Sequence, residues 1–330
     1  MNCHLERCNI AALSLLVTSI YLFLPVSLSQ AQENYPSRSV RIIVPFAPGG
    51  AVDILSRTVG QKLNELWGQQ VVIDNKPGAG GNLGAELAAR TLPDGYSILM
   101  GDAAHANAVT LYPKLGYDIM KDFSPITLAA VTPFVIVNYP GLPIKTINDL
   151  IALAKSSREP LTLGTGGNGS ATHLGAELLM ATVGIKFIKV PYKSVPPAIP
   201  DLIGGQINLM FLPAPVAQSF VREKKVNAIA ITSAQRSNSY PGLPTVAETL
   251  PGFEVNTWYG MMVKSGTPAS IISRLHRDIT AVLKMNDVRE RLTGLGSSLV
   301  ASTPEAFSEH FKSEIVKWGK IIRNAGIEVE

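Results

Sequence analysis

The chain has 330 residues, 46% hydrophobic and 16% charged, with a formal net charge of +4. The positive bias is mild and spread along the chain, with no lysine or arginine cluster of the kind that tracks phosphates, so nucleic acid is excluded as the expected partner. It favours anionic solutes only weakly.

Arg7 stands near the start, an apolar stretch runs from Ile10 to Leu28, and Ser29-Gln30-Ala31 follows. That order reads as an export signal cleaved after Ala31. A retained membrane anchor competes, because the stretch is nearly long enough to span a bilayer, but Ser14, Thr18, Ser19 and Pro25 interrupt it. Cleavage gives a periplasmic protein beginning at Gln32, with 28 basic and 24 acidic residues and an unchanged net charge. Both cysteines, Cys3 and Cys8, precede the stretch. The mature chain is therefore expected to use no disulfide, thiolate nucleophile or cysteine-ligated metal, and neither cysteine is placed to carry a lipid anchor. A core must hold the fold instead, and about three hundred residues bury enough surface for two domains.

Short β-branched runs then alternate with helix-period segments, which predicts an α/β fold with mainly parallel sheets. Strands are expected at Val40–Phe46, Gln70–Ile73, Ser97–Met100, Phe134–Val137, Leu161–Leu163, Ile185–Val190, Ile207–Phe211 and Val226–Thr232. Chain crossings near Thr127–Val137 and Val255–Val263 predict two lobes, one discontinuous (32–133 plus 255–330) and one continuous (134–254). Towards the C-terminus, Thr267-Pro268 and Thr303-Pro304 each offer a helix cap followed by proline. After the second, Phe307, Phe311, Ile315, Trp318 and Ile322 form a buried stripe, and Gly326 stops the helix.

Two segments share a strand, glycine-rich turn and helix. The first runs from Ile42-Ile43-Val44 through Phe46-Ala47-Pro48-Gly49-Gly50-Ala51, and the second from Leu161-Thr162-Leu163 through Gly164-Thr165-Gly166-Gly167-Asn168-Gly169-Ser170 into Ala171-Thr172-His173. Glycine allows close backbone approach, and the unpaired N–H groups of the next helix carry partial positive charge, so each is an anion site in principle. A carboxylate solute gripped from both sides would draw the lobes together. Bulky replacements at Gly50 or Gly169 are expected to abolish binding with the fold intact. The second loop also fits Gly164-x-Gly166-x-x-Gly169, the dinucleotide fingerprint, but Lys186 and Lys189 stand where its acidic residue should follow. An exported enzyme with a phosphate-bearing cofactor is thus the rival reading; no cofactor is expected on the main one.

The turn Lys76–Asn82 has no Walker lysine and reads as structural. His105, His173, His276 and His310 show no metal-ligand spacing, so no metal site is expected; His173 either donates to a solute or packs, and His276 reads as a surface residue. No Gly-x-Ser-x-Gly elbow is present, and Ser170 and Thr172 read as hydroxyl donors at a helix start. Asp53 reads as a cap. Ala103–Asn107 and Leu212–Pro215, after strand ends, are candidate pocket walls.

In order, Val44-Pro45-Phe46-Ala47-Pro48-Gly49-Gly50, Asn75–Gly81, Pro93-Asp94-Gly95-Tyr96, Val190-Pro191-Tyr192-Lys193, Ala198–Gly205, Pro244–Glu248, Trp258-Tyr259-Gly260 and Gly266-Thr267-Pro268 resemble the Bug family of tripartite tricarboxylate transporter binding proteins, which are TctC-like. The resemblance spans nearly all of the mature chain. It implies a two-lobed, type II-like Venus flytrap that acts as a monomeric periplasmic receptor, not an enzyme. Such a receptor hands a di- or tricarboxylate, aromatic carboxylate or acidic amino acid to a two-component permease; an orphan sensor is a further alternative. Carried over by position, the ligand residues are Phe46, Ala47, Pro48, Gly49, Gly50, Ala51, Asn168, Gly169, Ser170, Ala171, Thr172, His173 and Asp201. Ser194 departs from the family's frequent glycine, and its side chain would narrow the cleft or add a hydroxyl.

Overall fold

A computed structural model describes residues 35–328. The expected export signal and its cleavage point lie outside the described residues. The chain runs β1 (Val40–Val44), α1 (Ala51–Trp67), β2 (Val71–Asn75), α2 (Asn82–Ala89), β3 (Ser97–Asp102), α3 (Ala103–Leu111), α4 (Ile119–Asp122) and β4 (Phe123–Asn138). It continues through α5 (Ile147–Ser156), β5 (Thr162–Thr165), α6 (Ala171–Val183), β6 (Ile188–Pro191), α7 (Ile199–Ile203), β7 (Leu209–Pro213), α8 (Ala214–Arg222) and β8 (Asn227–Ile231). The last elements are β9 (Asn256–Lys264), α9 (Ala269–Lys284), α10 (Asn286–Gly294), β10 (Ser298–Leu299) and α11 (Pro304–Ala325).

β1 buries every residue except Arg41, as a strand covered on both faces must. It lies parallel between β2 and β3, and β5 lies parallel between β6 and β7. The expectation of mainly parallel sheets fails at the centre. β4 is antiparallel to β9, β10, β7 and β8, and β3 is antiparallel to β9. The reason is the length of β4, sixteen residues where the sequence suggested four. Its residues 123–133 pair with β9, and from Phe134 onward it pairs with β7 and β8. One strand thus serves two groups of strands, and the parallel units join through it edge to edge.

Thr232 ties the chain where β4 changes partners. Its Oγ1 accepts the Phe134 N–H at 2.8 Å and donates to the Val255 carbonyl at 2.5 Å. From Arg38 onward the chain packs as one compact unit.

α11 follows the expected stripe, with Phe307, Phe311, Trp318 and Ile322 buried. The Thr303 hydroxyl accepts the Ala306 N–H, and Gly326 ends the helix in the left-handed region at φ 61°. Trp258 of β9 meets Phe307 and Phe311 edge-on at ring-centre distances of 5.7 and 5.0 Å. Gly260 makes this approach possible, since a Cβ there would lie 2.0 Å from the Phe307 ring. Each ring buried this way contributes ~1.5–3 kcal/mol. α9 starts differently from expectation: Pro268 occupies the cap position, and the Thr267 hydroxyl turns back to donate to the Lys264 carbonyl.

Candidate functional site

A cavity lies where the ends of these elements converge. Phe46, Gly50, Ala51 and Val52 line one side, and Gly166 with Ser170, Ala171 and Thr172 line another. Asp102 closes it at the end of β3, Phe134 on β4, Ser194 to Pro196 after β6, Pro213 at the end of β7, and Thr257 and Tyr259 on β9. It measures about 50 Å³, on a scale where one water needs ~10–15 Å³, which suits a small solute. No lysine or arginine is among the residues lining it.

The first loop owes its shape to Asp53, which is buried within the first turn of α1. One of its oxygens accepts the Gly49 N–H and the Arg57 Nε–H, both at 2.9 Å, and the other accepts Asn75 Nδ2 at 3.0 Å. Burial pushes the Asp53 carboxyl up, but these donors outweigh it and hold its pKa below the ordinary 3.8. Asp53 is therefore turned away from the leading amides of α1. Gly50, at the cap position, has no side chain to satisfy them, and the first four N–H groups of a helix have no partner within it. Ala51 and Val52, which head the helix and line the cavity, therefore bring uncapped donors and about half a positive charge of helix dipole to it. α8, which begins after Pro213, also lacks a side-chain cap.

The second loop is tied to itself. Ser170 Oγ accepts the His173 N–H at 3.3 Å, Thr172 Oγ1 accepts the Gly166 N–H at 2.8 Å, and the two hydroxyls lie 3.0 Å apart. His173 uses both ring nitrogens internally: Nδ1 accepts the Gly169 N–H at 3.1 Å, and Nε2 sits 3.3 Å from Glu177. Burial would raise the Glu177 pKa, but His173 and Lys189 hold it below the ordinary 4.5. The back of the loop rests on the N-terminal half of the chain. Tyr112 donates to the Asn168 carbonyl at 3.0 Å and Asn107 to the Gly169 carbonyl at 3.2 Å. A Cβ on Gly80, in the turn that reads as structural, would lie 2.4 Å from the Asn168 carbonyl. Several glycines of Gly164–Gly169 thus make room for protein rather than ligand; a Cβ at Gly164 would meet Ile207 at 2.4 Å.

Of the residues expected from sequence, Phe46, Gly50, Ala51, Ser170, Ala171 and Thr172 line the cavity. Ala47, Pro48, Gly49, Asn168, Gly169 and His173 shape the loops behind the lining. Asp201 in α7 accepts the Tyr192 hydroxyl, which burial and this carboxylate push up to about 12. Pro213 falls within the expected 212–215 wall, whereas Ala103–Asn107 gives way to Asp102 just before it. His276 is half-buried rather than at the surface, with Nε2 3.1 Å from the Ser302 carbonyl. Asp102, Phe134, Thr257 and Tyr259 also line the cavity without being expected there. They sit on β3, β4 and β9, which only the sheet pairing brings together, although the Trp258-Tyr259-Gly260 motif marks one of them. Among the described residues no cluster of three or more His, Cys, Asp or Glu is arranged to hold a metal ion, and no helix is long and apolar enough to cross a membrane.

The family model described as the tripartite tricarboxylate transporter family receptor matches residues 55–327. The solved periplasmic binding protein BugD superposes with a TM-score of 0.86 at 34% identity, covering 90% of this chain and 100% of BugD. An R. palustris protein solved with adipate gives 0.87 at 32%, over 89% and 99% of the two chains. MatC from Rhodopseudomonas palustris, solved with bound malate, gives 0.83 at 32%, over 87% and 100%.

Proposed function

Given that the chain belongs to the Bug family, the receptors of tripartite tricarboxylate transporters, we propose that it captures a small carboxylate in the periplasm and delivers it to a two-component membrane permease. The fold is that of the periplasmic binding proteins, and the family is one of receptors rather than enzymes. The observation that carries the proposal is the uncapped start of α1 at a cavity lined by no basic side chain. Amides there hold an anion without a counter-charge. Gly50, Ala51, Ser170, Ala171 and Thr172 are its proposed direct contacts, with Phe46 as an apolar wall. Ala47, Pro48, Gly49, Asn168, Gly169, His173 and Asp201 support these contacts. The adipate and malate held by the two R. palustris relatives favour a carboxylate as the ligand.

The proposed lobes are 32–133 plus 255–330, and 134–254, with Thr232 at the crossing between them. Solute held by both loops favours the closed arrangement, and the permease reads that arrangement. Export with cleavage after Ala31, and action as a monomer, belong to the same proposal.

The test is a thermal-shift screen of the chain from Gln32 onward against mono-, di- and tricarboxylates, aromatic acids, acidic amino acids and nicotinamide cofactors. A ligand that binds only the folded state raises Tm. A rise with a carboxylate supports the receptor; a rise with a nicotinamide cofactor alone transfers the case to an enzyme.

A further inference from the structure

The cavity holds one carboxylate of its own. Asp102 ends β3 and caps α3, its Oδ1 accepting the Ala104 N–H at 3.1 Å. It is 5% exposed, lines the cavity, and no lysine or arginine shares that lining. His105, in the same helix turn, lies beside it, its Nδ1 3.1 Å from both the Asp102 backbone nitrogen and Asp102 Oδ1. Tyr259, directly across from Asp102 in the β3–β9 pairing, also lines the cavity. Burial, then the Asp102 charge, push its hydroxyl well above the ordinary tyrosine range, so it stays protonated.

A second feature is independent of Asp102. Ser194, reached from β6, is 1% exposed and lines the same cavity, and its hydroxyl has no hydrogen-bond partner. A buried hydroxyl without a partner is costly unless something else fills the role.

The same cavity therefore offers uncapped amides for an anion, an acidic side chain and an unused hydroxyl. A second ligand carboxylate beside Asp102 would meet like charge in a poorly solvated space. An ionised carboxylate accepts at about four sites, so capping α3 leaves it free to take more donors. We propose that the solute is a carboxylate whose skeleton also carries a hydrogen-bond donor, a hydroxyl or an ammonium group, received by Asp102 and Ser194. This rests on the receptor reading above and narrows its ligand class.

Titration calorimetry on matched sets tests it: succinate against malate and aspartate, and glutarate against 2-hydroxyglutarate and glutamate. The expected result is at least one donor-bearing acid binding about tenfold or more tighter than its unsubstituted partner. The hydroxy and amino arms tell the two donors apart. Asp102→Asn keeps a helix cap of equal quality while removing the charge, so it should narrow that ratio severalfold without lowering Tm. Ser194→Ala should weaken the preferred acid by about five- to tenfold and leave the unliganded Tm equal or higher, because it deletes an unpaired hydroxyl. A purely structural serine would instead lower the unliganded Tm. Unsubstituted acids binding as tightly as donor-bearing ones, or a ratio unmoved by Asp102→Asn, would overturn the proposal while leaving the receptor intact. Failure of every carboxylate to bind would remove the receptor reading itself.

Discussion

The two glycine-rich loops look alike in sequence and differ in what they offer. At 46–51 the nearby acid, Asp53, is bound back to Gly49, Arg57 and Asn75, and the start of α1 is left open. At 164–170 the Ser170 and Thr172 hydroxyls and the His173 ring take up the loop's own amides. Glycine spacing alone does not make an anion site; what decides is whether a side chain has already claimed the helix amides. On the proposed reading the first loop is the primary grip, and the second is a wall that adds hydroxyls.

Gly50→Leu attacks the first loop and carries the largest expected effect. Gly50 has an ordinary φ of −74°, and a Cβ there meets only the Ala47 carbonyl at 3.6 Å and Pro196 at 3.8 Å. The fold should survive while the longer side chain occupies the cavity, weakening carboxylate binding by about ten- to a hundredfold in a titration. Gly169→Ala probes the second loop and behaves differently. At φ 77°, with Leu111 3.2 Å and Tyr112 3.3 Å from a new Cβ, it should cost ~1–2 kcal/mol in denaturant unfolding. The expectation that Gly169 tolerates bulk with the fold intact is thereby corrected: the space behind it belongs to α3 and its flank, not to ligand.

Ser170→Ala removes the α6 cap and should lower stability by ~1 kcal/mol in the same unfolding assay. Ser170→Asp should restore most of it. An unchanged stability in the alanine variant would mean the hydroxyl is not working as a cap.

Acid should touch both loops. The Asp53 and Glu177 pKa values are lowered on folding, so their ionised forms favour the folded state. That contribution is complete above the ordinary 3.8 and 4.5, and is lost as pH falls through the lower folded values. Unfolding curves between pH 6 and about pH 2 should steepen in their loss of stability below the ordinary 4.5 and 3.8, and Glu177→Gln should flatten part of that slope.

Much of the fold was legible because short-range rules governed it. Apolar runs gave β1 and β3, and the Thr303-Pro304 cap with its three- and four-residue stripe gave α11. β4 was read too short because Ser124, Pro125, Thr127 and Thr132 break its apolar run, yet pairing on both sides carries it through. The site was half legible. Gly50 and Ser170 announce themselves through turn and cap chemistry, whereas no local pattern marks Asp102, and Tyr259 stands only in the Trp258-Tyr259-Gly260 motif until the sheet sets the two across from each other. Long-range register, which no local spacing encodes, brings Asp102 and Tyr259 together at the cavity.

The most direct test of the central claim is calorimetric titration of a binding carboxylate into the wild-type protein and Gly50→Leu, with the unliganded Tm of each recorded. Binding is expected in the first, binding lost or weakened at least about tenfold in the second, and nearly equal Tm values in both. Equal affinity in both proteins would contradict that claim, because the carboxylate would then be held somewhere other than the open start of α1.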